Sequence, residues 1–275
     1  MISRTSISRY FITIIHLKPI QIFGRFTYKL KRLISSCLPD FKTDISLKKP
    51  VDSWAEPSSH NKILLQESWY FNFLNHALKI PEDSWDNNQC ELLWQYNLNY
   101  FDYLFFYNQE KVSENDLVSI LHSWIINNPK GTKVSWDPYP ISLRLVNWSK
   151  WYLSNKPICR GFEFSLFQQA KFLSKNIEYH LQGNHLIANA KGLIFSGSIL
   201  KEEGKNLTNI GKDLLFNELE RQIHNDGAHF ELSPMYHFII LNDIYDLLQL
   251  SNLDRTLFSH DNKNDLIKVA SRMLI

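Results

Sequence analysis

The sequence predicts a mainly α-helical protein, and three observations lead to this prediction. From about residue 91 onward, apolar side chains recur at the three- and four-residue spacing of helices that bury one face. Signals for helix starts stand before several of these segments, and the connecting segments are short. Runs typical of strands are almost absent after residue 90. These patterns predict antiparallel helix pairs, but they do not distinguish a bundle, a solenoid or a closed toroid.

The predicted helices have recognisable starts. In chain order they cover residues 91–107, 115–127, 140–154, 163–180, 185–200, 207–224, 235–250 and 262–274. The second follows Ser113, a residue type that caps helices by accepting a backbone N–H. Pro138 and Pro234 precede or open the third and the seventh. A proline in the first turn costs no hydrogen bond, because the N–H groups there have no partner within the helix.

The first 90 residues form a different kind of segment. Residues 1–50 carry ten Lys and Arg but only two Asp, in a chain whose net charge is +2. This basic amphipathic arm could contact an acidic glycan, contact a membrane surface, or pack on the rest of the protein. Residues 51–90 are irregular, apart from Trp69–Ile80, which predicts a strand or a hairpin arm. We therefore divide the chain into an arm with an irregular segment (1–90) and a helical domain (91–275).

Composition and spacing exclude several classes of protein. The three cysteines, Cys37, Cys90 and Cys159, have no metal-binding or redox spacing. No apolar run approaches the ~20 residues of a membrane helix, and His16 and Lys18 interrupt the one apolar stretch that resembles a signal peptide core. Nucleic-acid binding would depend on the basic arm alone. We expect no transmembrane segment, no nucleic-acid partner and no cofactor in this chain.

Histidines concentrate in one region of the sequence. Half of the ten fall between residues 180 and 237, at helix ends or in the loop between two helices. They lie in two segments, His180–Leu193 and Glu220–Phe238. In the second segment, Asp226-Gly227 predicts a tight turn before the next helix starts. Polar loops on a helical scaffold are typical of functional sites.

Two residue pairs at predicted helix starts carry the candidate chemistry. Tyr236 and His237 stand in a first turn, where the helix dipole favours developing negative charge. Asn184 and His185 open another helix and can offer hydrogen-bond donors to a carboxylate. Together they suit removal of a proton next to a carboxylate, because donors neutralise the acid while a tyrosine takes the proton. Each pair alone is more typical of a helix cap and a core contact.

The same residues carry a resemblance to a known family. The string QIHNDGAHFELSPMYH (Gln222–His237) resembles the segment Q-x-x-x-D-G-x-x-x-E-x-S-x-x-Y-H of heparinase II/III-type polysaccharide lyases. The segment Gly183–Leu193 is similar to the N-H-x-x-x-N segment of that family. Leu92–Leu104, Trp136–Trp148 and the N-terminal HLKPIQIFGRFTYKL agree as well. The similarity spans nearly the whole chain, and the Asp-Gly to Tyr-His string is its most specific part.

The resemblance implies a fold, a reaction and four catalytic residues. The fold would be an incomplete (α/α) toroid whose helices line a cleft for an anionic polysaccharide. The reaction would be β-elimination at a uronic acid. Asn184 and His185 would bind and neutralise the uronate carboxylate, and Tyr236 would take the C5 proton, donate one to the leaving oxygen, or both. His237 would assist as a base or an orienting group.

The resemblance also implies a set of substrate-binding residues. An unperturbed tyrosine has a pKa near 10, so Tyr236 needs nearby positive charge or donors, and Arg144 and the histidines are the candidates. Core packing remains the alternative for the aromatic residues: it is favoured for Trp148, and for Trp136 the two interpretations are equally open. The expected substrate-binding residues are Asn97, Tyr100, Asp102, Trp136, Tyr139, Arg144, Asn189, Gln222, His229 and Glu231.

Family members continue beyond the point where this sequence stops. In them a β-sheet domain closes the cleft and supplies another catalytic histidine, often with a structural metal. The resemblance therefore implies a truncated toroid that exposes apolar surface, and a partner in the form of a separately encoded C-terminal β-domain. It also implies a location in the periplasm or outside the cell, although no signal peptide is visible.

Three other interpretations stay open. A non-catalytic glycan-binding remnant would keep the toroid without the chemistry. A hydrolase would use two carboxylates among Glu218, Asp226 and Glu231 across the scissile bond. A metal site could in principle combine His224, Asp226, His229 and Glu231. Their spacing matches no helix-borne metal motif, so we expect no metal in this chain.

Overall fold

The structure is a computed structural model, and it describes most of the chain after residue 43. The described residues are 24, 32, 34, 44–50, 52–55, 65–67, 69–81, 85, 90–132 and 134–274. The predicted amphipathic segment of the basic arm and most of residues 51–64 lie outside them. Arg32 is one of the described positions of the arm, and its guanidinium forms an ion pair with Asp137.

All eight predicted helices are confirmed. Within the described residues they are α1 (Leu92–Tyr100), α2 (Glu114–Asn127), α3 (Pro138–Leu153), α4 (Phe162–Lys175), α5 (Asn184–Ile199), α6 (Gly204–Gln222), α7 (Pro234–Leu253) and α8 (His260–Met273). The largest differences from prediction are early ends. Helix α1 stops before Phe101, which has a left-handed φ of 65°, and α4 stops at Lys175 rather than at 180. None of the described helices is long and apolar enough to span a membrane.

The predicted start signals are also confirmed. The Ser113 hydroxyl accepts a hydrogen bond from the backbone N–H of Asp116 at 3.3 Å, and the Asp116 carboxylate accepts one from the backbone N–H of Ser113 at 2.9 Å. Such a cap stabilises a helix by about 1 kcal/mol. Pro138 and Pro234 lie in the first turns of α3 and α7. Short-range chemistry thus determines where these helices begin.

The helices form an inner and an outer layer. Helices α1, α3, α5 and α7 contact one another in that order, α2, α4 and α6 each connect two of them on the outside, and α8 packs against α7. Helix α5 lies deepest, since every residue from Leu186 to Ile199 is buried. Contacts among α3, α5 and α7 join corresponding parts of these helices, so the three run parallel. Tyr139 meets His185 near the starts, for example, while Lys150 lies over Phe195 further along. This is the architecture of an incomplete (α/α) toroid, as expected.

A small antiparallel sheet packs on α1. Its strands are β1 (Leu65–Glu67), β2 (Tyr70–Phe73) and β3 (His76–Lys79), in that order, which confirms the hairpin predicted for Trp69–Ile80. Phe73 packs edge-on against Trp94 at 5.2 Å, and the Trp94 indole N–H donates to the carbonyl of His76. The hairpin and the helices share one hydrophobic core. The core therefore crosses the boundary that the sequence suggested at residue 90.

Arg144 lies in this core and not in a cleft. Its side chain is fully buried, and the guanidinium stacks 3.9 Å from the centre of the Trp124 ring. It donates hydrogen bonds to the carbonyls of Asn99 and Ser135 and to the amide oxygen of Gln169, at 2.7–2.9 Å. The prediction that Arg144 binds substrate or supports a catalytic tyrosine is wrong, because all of these partners lie inside the protein.

A buried ion network joins α3, α5 and α7. The Lys191 ammonium on α5 donates to Asp243 at 2.7 Å and also to Asp246, both on α7, and Lys150 on α3 donates to Asp246 at 2.6 Å. Burial disfavours the charged form of Asp246, but the two lysines outweigh this cost and hold the pKa of Asp246 below its ordinary value. Removing one partner of such a network costs roughly 3–5 kcal/mol. The network therefore fixes the three inner helices relative to one another.

Candidate functional site at the inner helix starts

Gln222, the last residue of α6, ties the start of α5 to the loop that leads into α7. Its amide nitrogen donates to the carbonyl of Gly183, immediately before α5, at 2.9 Å, and to the Glu218 carboxylate at 2.9 Å. Its amide oxygen lies 3.0 Å from Nε2 of His229, in the loop between α6 and α7. Gln222 is only 2% exposed. A buried amide with these partners holds the two helix starts side by side.

Gly183 makes this close approach possible. Its φ of 60° and ψ of −148° form a backbone conformation that is essentially restricted to glycine. A Cβ atom at this position would lie 2.1 Å from Oε1 of Glu231, three residues before α7. The loop before α7 therefore packs directly on the turn before α5.

The loop between α6 and α7 contains the predicted tight turn. The N–H of Gly227 donates to the carbonyl of His224 at 2.9 Å, and the Asp226 carboxylate accepts from the N–H of Ala228 at 3.0 Å. Gly227 has a φ of 88°, a left-handed conformation that glycine adopts without strain. The Asp226-Gly227 prediction is confirmed, and the turn directs the chain back toward α5.

Three inner helices each contribute a side chain to one location. The rings of Tyr139, at the start of α3, and His185, at the start of α5, lie 4.5 Å apart. Tyr236 lies in the first turn of α7, and the loop before this helix packs on Gly183 through Glu231. Burial raises the pKa of Tyr139 above its usual range, and the negative charges of Asp243, Asp102 and Glu178 raise it further. The Asn-His and Tyr-His segments thus come together.

Several polar groups at this location have no partner in the described part of the chain. They are the Asn184 carboxamide, the hydroxyls of Tyr139 and Tyr236, and Nε2 of His185. None of them is among the buried side-chain atoms that lack a hydrogen bond, so solvent reaches them. These solvent-facing polar groups around the rings of Tyr139 and His185, together called the pocket from here on, are unused by the fold and are the groups that a ligand can engage.

The backbone adds positive potential to the same pocket. Helices α3, α5 and α7 all begin here, and each helix N-terminus carries roughly half a positive charge and free N–H groups. These N–H groups are potential donors to an anionic group, whereas the carboxylates of Asp102, Glu178 and Asp243 near Tyr139 oppose one.

Glu178 is the residue that sequence analysis missed. It lies between α4 and α5, is buried, and places Oε2 3.2 Å from Nδ1 of His185. Asn189 donates to the same oxygen at 3.1 Å and accepts from the backbone N–H of Glu178 at 3.0 Å. Glu178 belongs to no recognisable sequence motif. Its partner Asn189 was a candidate site residue, but the sequence does not show which residue Asn189 contacts.

The end of α1 forms a neighbouring wall. Tyr100 is half-buried, with its ring 6.0 Å from that of Tyr139. The Asp102 carboxylate accepts from the Asn147 amide at 2.6 Å, and the same amide donates to the carbonyl of Tyr100. Tyr100, Asp102 and Tyr139 are thus brought together, as predicted. Asn97 is half-buried and donates to the carbonyl of Leu93 in its own helix.

Four predicted substrate-binding residues lie beneath the pocket surface instead. Each is at most 2% exposed and is hydrogen-bonded within the protein, so none of them can contact a polysaccharide directly. They are Trp136, Asn189, Gln222 and His229. The core alternative is correct for Trp136, whose ring stacks on Trp124 at 6.4 Å. The other three support the pocket rather than line it. Glu231 is half-buried.

His237 is directed toward α8. Its Nε2 lies 2.7 Å from the carbonyl of Met273, at the end of that helix. His237 therefore anchors the first turn of α7 to the end of α8.

Two of the carboxylates in the hydrolase interpretation already have partners in the fold. Glu218 is buried, and its oxygens contact Arg221 at 3.2 Å and Gln222 at 2.9 Å. The Asp226 carboxylate caps its own turn. Among the residues that the structure describes, no three His, Cys, Asp or Glu side chains could hold a metal ion together.

The fold is that of a helical toroid domain. The family model described as "Heparinase II/III N-terminus" matches residues 64–270. The chain therefore belongs to the heparinase II/III family.

Relatives from several bacteria agree with this assignment. The chain is 29% identical over 157 residues to a heparin-sulfate lyase of Bacteroides thetaiotaomicron, covering 50% of this chain and 21% of that protein. It is 23% identical over 222 residues to a heparin-sulfate lyase of Pedobacter heparinus, covering 72% of this chain and 33% of that protein. The chain thus spans between a fifth and a third of these two relatives.

Solved structures share the fold. Heparan sulfate lyase HepC from Pedobacter heparinus superposes with a TM-score of 0.57 at 19% identity, over 91% of this chain and 42% of that one. A crystal structure of heparinase III gives a TM-score of 0.56 at 23% identity, over 70% of this chain and 32% of that one. At these identities the likeness concerns the fold alone.

The role of Gln222 can be tested by substitution. We expect Gln222→Leu to lower the free energy of unfolding by about 2–3 kcal/mol, because the Gly183 carbonyl and the His229 ring lose their buried partner. Urea denaturation followed by circular dichroism measures this change. Gln249→Leu on α7 is the matched control, since that half-buried amide makes a single 3.3 Å contact with the carbonyl of Ala55. Equal effects of both substitutions would contradict the assigned role.

Proposed function

We propose that this chain is the substrate-cleft part of a polysaccharide lyase that cleaves a uronic-acid-containing polysaccharide by β-elimination. The observation that carries the proposal is that the start of α5, with Asn184 and His185, packs on the loop that leads into Tyr236, beside Tyr139 at the start of α3. Membership of the heparinase II/III family supports it. So does the description of its relatives as heparin-sulfate lyases.

The first step in this mechanism is neutralisation of the uronate carboxylate. A proton next to a carboxylate is hard to remove, because the electrons left on C5 must spread onto a group that already carries charge. Donors from Asn184 and His185, with the positive end of the α5 dipole, stabilise the resulting dianion. Donors that are already in place at such a site contribute several kcal/mol to the transition state.

The second step is elimination. Tyr236 takes the C5 proton, the electron pair forms a C4–C5 double bond, and the bond from C4 to the glycosidic oxygen breaks. The leaving oxygen then receives a proton, which Tyr236 can return. No water is consumed, so the products are a new chain end and an unsaturated sugar. Tyr100 and Tyr139 offer aromatic faces for the sugar rings.

Tyr236→Phe separates binding from chemistry. We expect the elimination rate to fall at least about 100-fold while binding of a uronate polysaccharide is retained, because only the proton-carrying hydroxyl is lost. Ultraviolet absorbance of the unsaturated product measures elimination, and tryptophan fluorescence measures binding. Tyr245→Phe is the control, since Tyr245 is an exposed tyrosine on the same helix. Unchanged cleavage by the Tyr236 variant would refute its role.

The same assay distinguishes the alternatives. Binding by the folded wild-type chain without new absorbance would support a non-catalytic glycan-binding remnant. Incorporation of labelled water oxygen at the new reducing end would support hydrolysis.

We also propose that a β-domain, on this or a separate polypeptide, covers the apolar rim of the pocket. Leu232, Met235 and Phe238 are 79%, 59% and 63% exposed beside Tyr236. Apolar groups clustered in this way usually mark an interaction surface.

Co-expression tests this partner. We expect a separately produced β-domain from a heparinase II/III relative to co-purify with the chain, and Leu232→Asp with Phe238→Asp to abolish co-purification because charge opposes apolar contact. Ile126→Asp on α2, another exposed apolar position, is the control. Loss of co-purification in the control variant alone, or no association at all, would refute the proposal.

A further inference from the structure

Glu178 and His185 form a carboxylate–imidazole pair that the proposed reaction leaves unexplained. Glu178 is 5% exposed, whereas the His185 side chain is 32% exposed. Nδ1 of the ring faces the carboxylate at 3.2 Å, so the ring lies between a buried acid on one side and the pocket on the other.

The carboxylate itself is held in place. The Asn189 side-chain amide accepts a hydrogen bond from the Glu178 backbone N–H and donates one to the Glu178 carboxylate, so it holds Glu178 at two points. The Asn189 amide also donates to the Ser142 hydroxyl on α3 at 2.9 Å. Because α3, α5 and the loop before α5 all contribute, the carboxylate has a fixed position to which the ring must adjust.

This arrangement determines which ring nitrogen carries the proton. An ionised carboxylate can only accept hydrogen bonds, so Nδ1 must donate and therefore bears the hydrogen. In the neutral ring Nε2 then carries the lone pair. Nε2 has no partner among the described residues and is the nitrogen presented to the pocket.

We propose that Glu178 is a positioning residue that fixes the Nδ1–H form of His185 and couples binding of a uronate carboxylate to uptake of a proton by the ring. The coupling rests on the proposed function. A neutral Nε2 repels a carboxylate because both offer lone pairs, so the ring must become an imidazolium to donate from Nε2. An ionised Glu178 accepts from Nδ1–H in both the neutral and the protonated ring. Asn184 supplies a donor that needs no proton.

Other titratable groups surround the ring without making this contact. Tyr139 packs against the ring from α3, and Tyr236, Asp243 and Asp102 lie around Tyr139. The test must therefore distinguish Glu178 from the general negative field of the pocket.

Nitrogen-15 NMR of the histidine rings, recorded at a pH where they are neutral, tests the positioning role directly. We expect the Nδ1–H form for His185 in the wild-type chain and its loss in Glu178→Met, which has similar length and no acceptor. Glu178→Gln retains an oxygen and should restore the form. Glu218→Met is the matched control, because Glu218 is also 5% exposed and bonds to Gln222 rather than to a histidine.

Two results would overturn the positioning role. One is an Nε2–H ring in the wild-type chain, which decides the question even if Glu178→Met does not fold. The other is an Nδ1–H ring that persists in folded Glu178→Met.

Calorimetry tests the coupling separately. Titration of the wild-type chain with a glucuronate oligosaccharide, in buffers of different ionisation enthalpy, should report net proton uptake that Glu178→Met reduces. Binding without proton uptake would overturn the coupling. An Nδ1–H ring in a chain that binds no uronate would refute the proposed function while leaving the positioning role intact.

Discussion

The amide of Gln222 is the interaction on which the site depends. It satisfies the Gly183 carbonyl on one side and orients His229 on the other, so the turn before α5 and the loop before α7 share one buried support. A buried carbonyl without a partner costs about 1–3 kcal/mol, and this cost opposes separation of the two turns. Gly183 contributes the backbone conformation and the space that the contact requires. Convergence of Asn184, His185 and Tyr236 follows from this support.

Parallel inner helices give the site its electrostatic character and also impose a cost. Helix N-termini that meet at one location concentrate partial positive charge, which is unfavourable unless negative charge nearby neutralises it. Deeper in the layer, Lys191 and Lys150 pair with Asp243 and Asp246 and hold the helices together. At the pocket, Glu178 supplies one negative charge close to the helix starts. A bound carboxylate would supply another, which is a physical reason for an anionic substrate.

Local chemistry was predictable from sequence, and long-range contacts were not. Ser113, Pro138 and Pro234 act within a turn of their own position, so the helix starts could be predicted almost to the residue. Arg144 looked like a free cation because its partners, such as Gln169, are distant in sequence. Asn189 and His229 lie in the predicted region of the site, but they are buried beneath its surface and not exposed on it. Glu178 stayed hidden because its role exists only once α5 has folded against α3.

The central claim is that the starts of α5 and α7 form one binding pocket for uronate. Backbone amide NMR during titration with a saturated glucuronate oligosaccharide tests it most directly. The account predicts that the amides of Asn184, His185 and Tyr236 shift together along a single binding curve, because one ligand contacts both helix starts. Shifts confined to one of the two starts, or located on a different face of the protein, would contradict it.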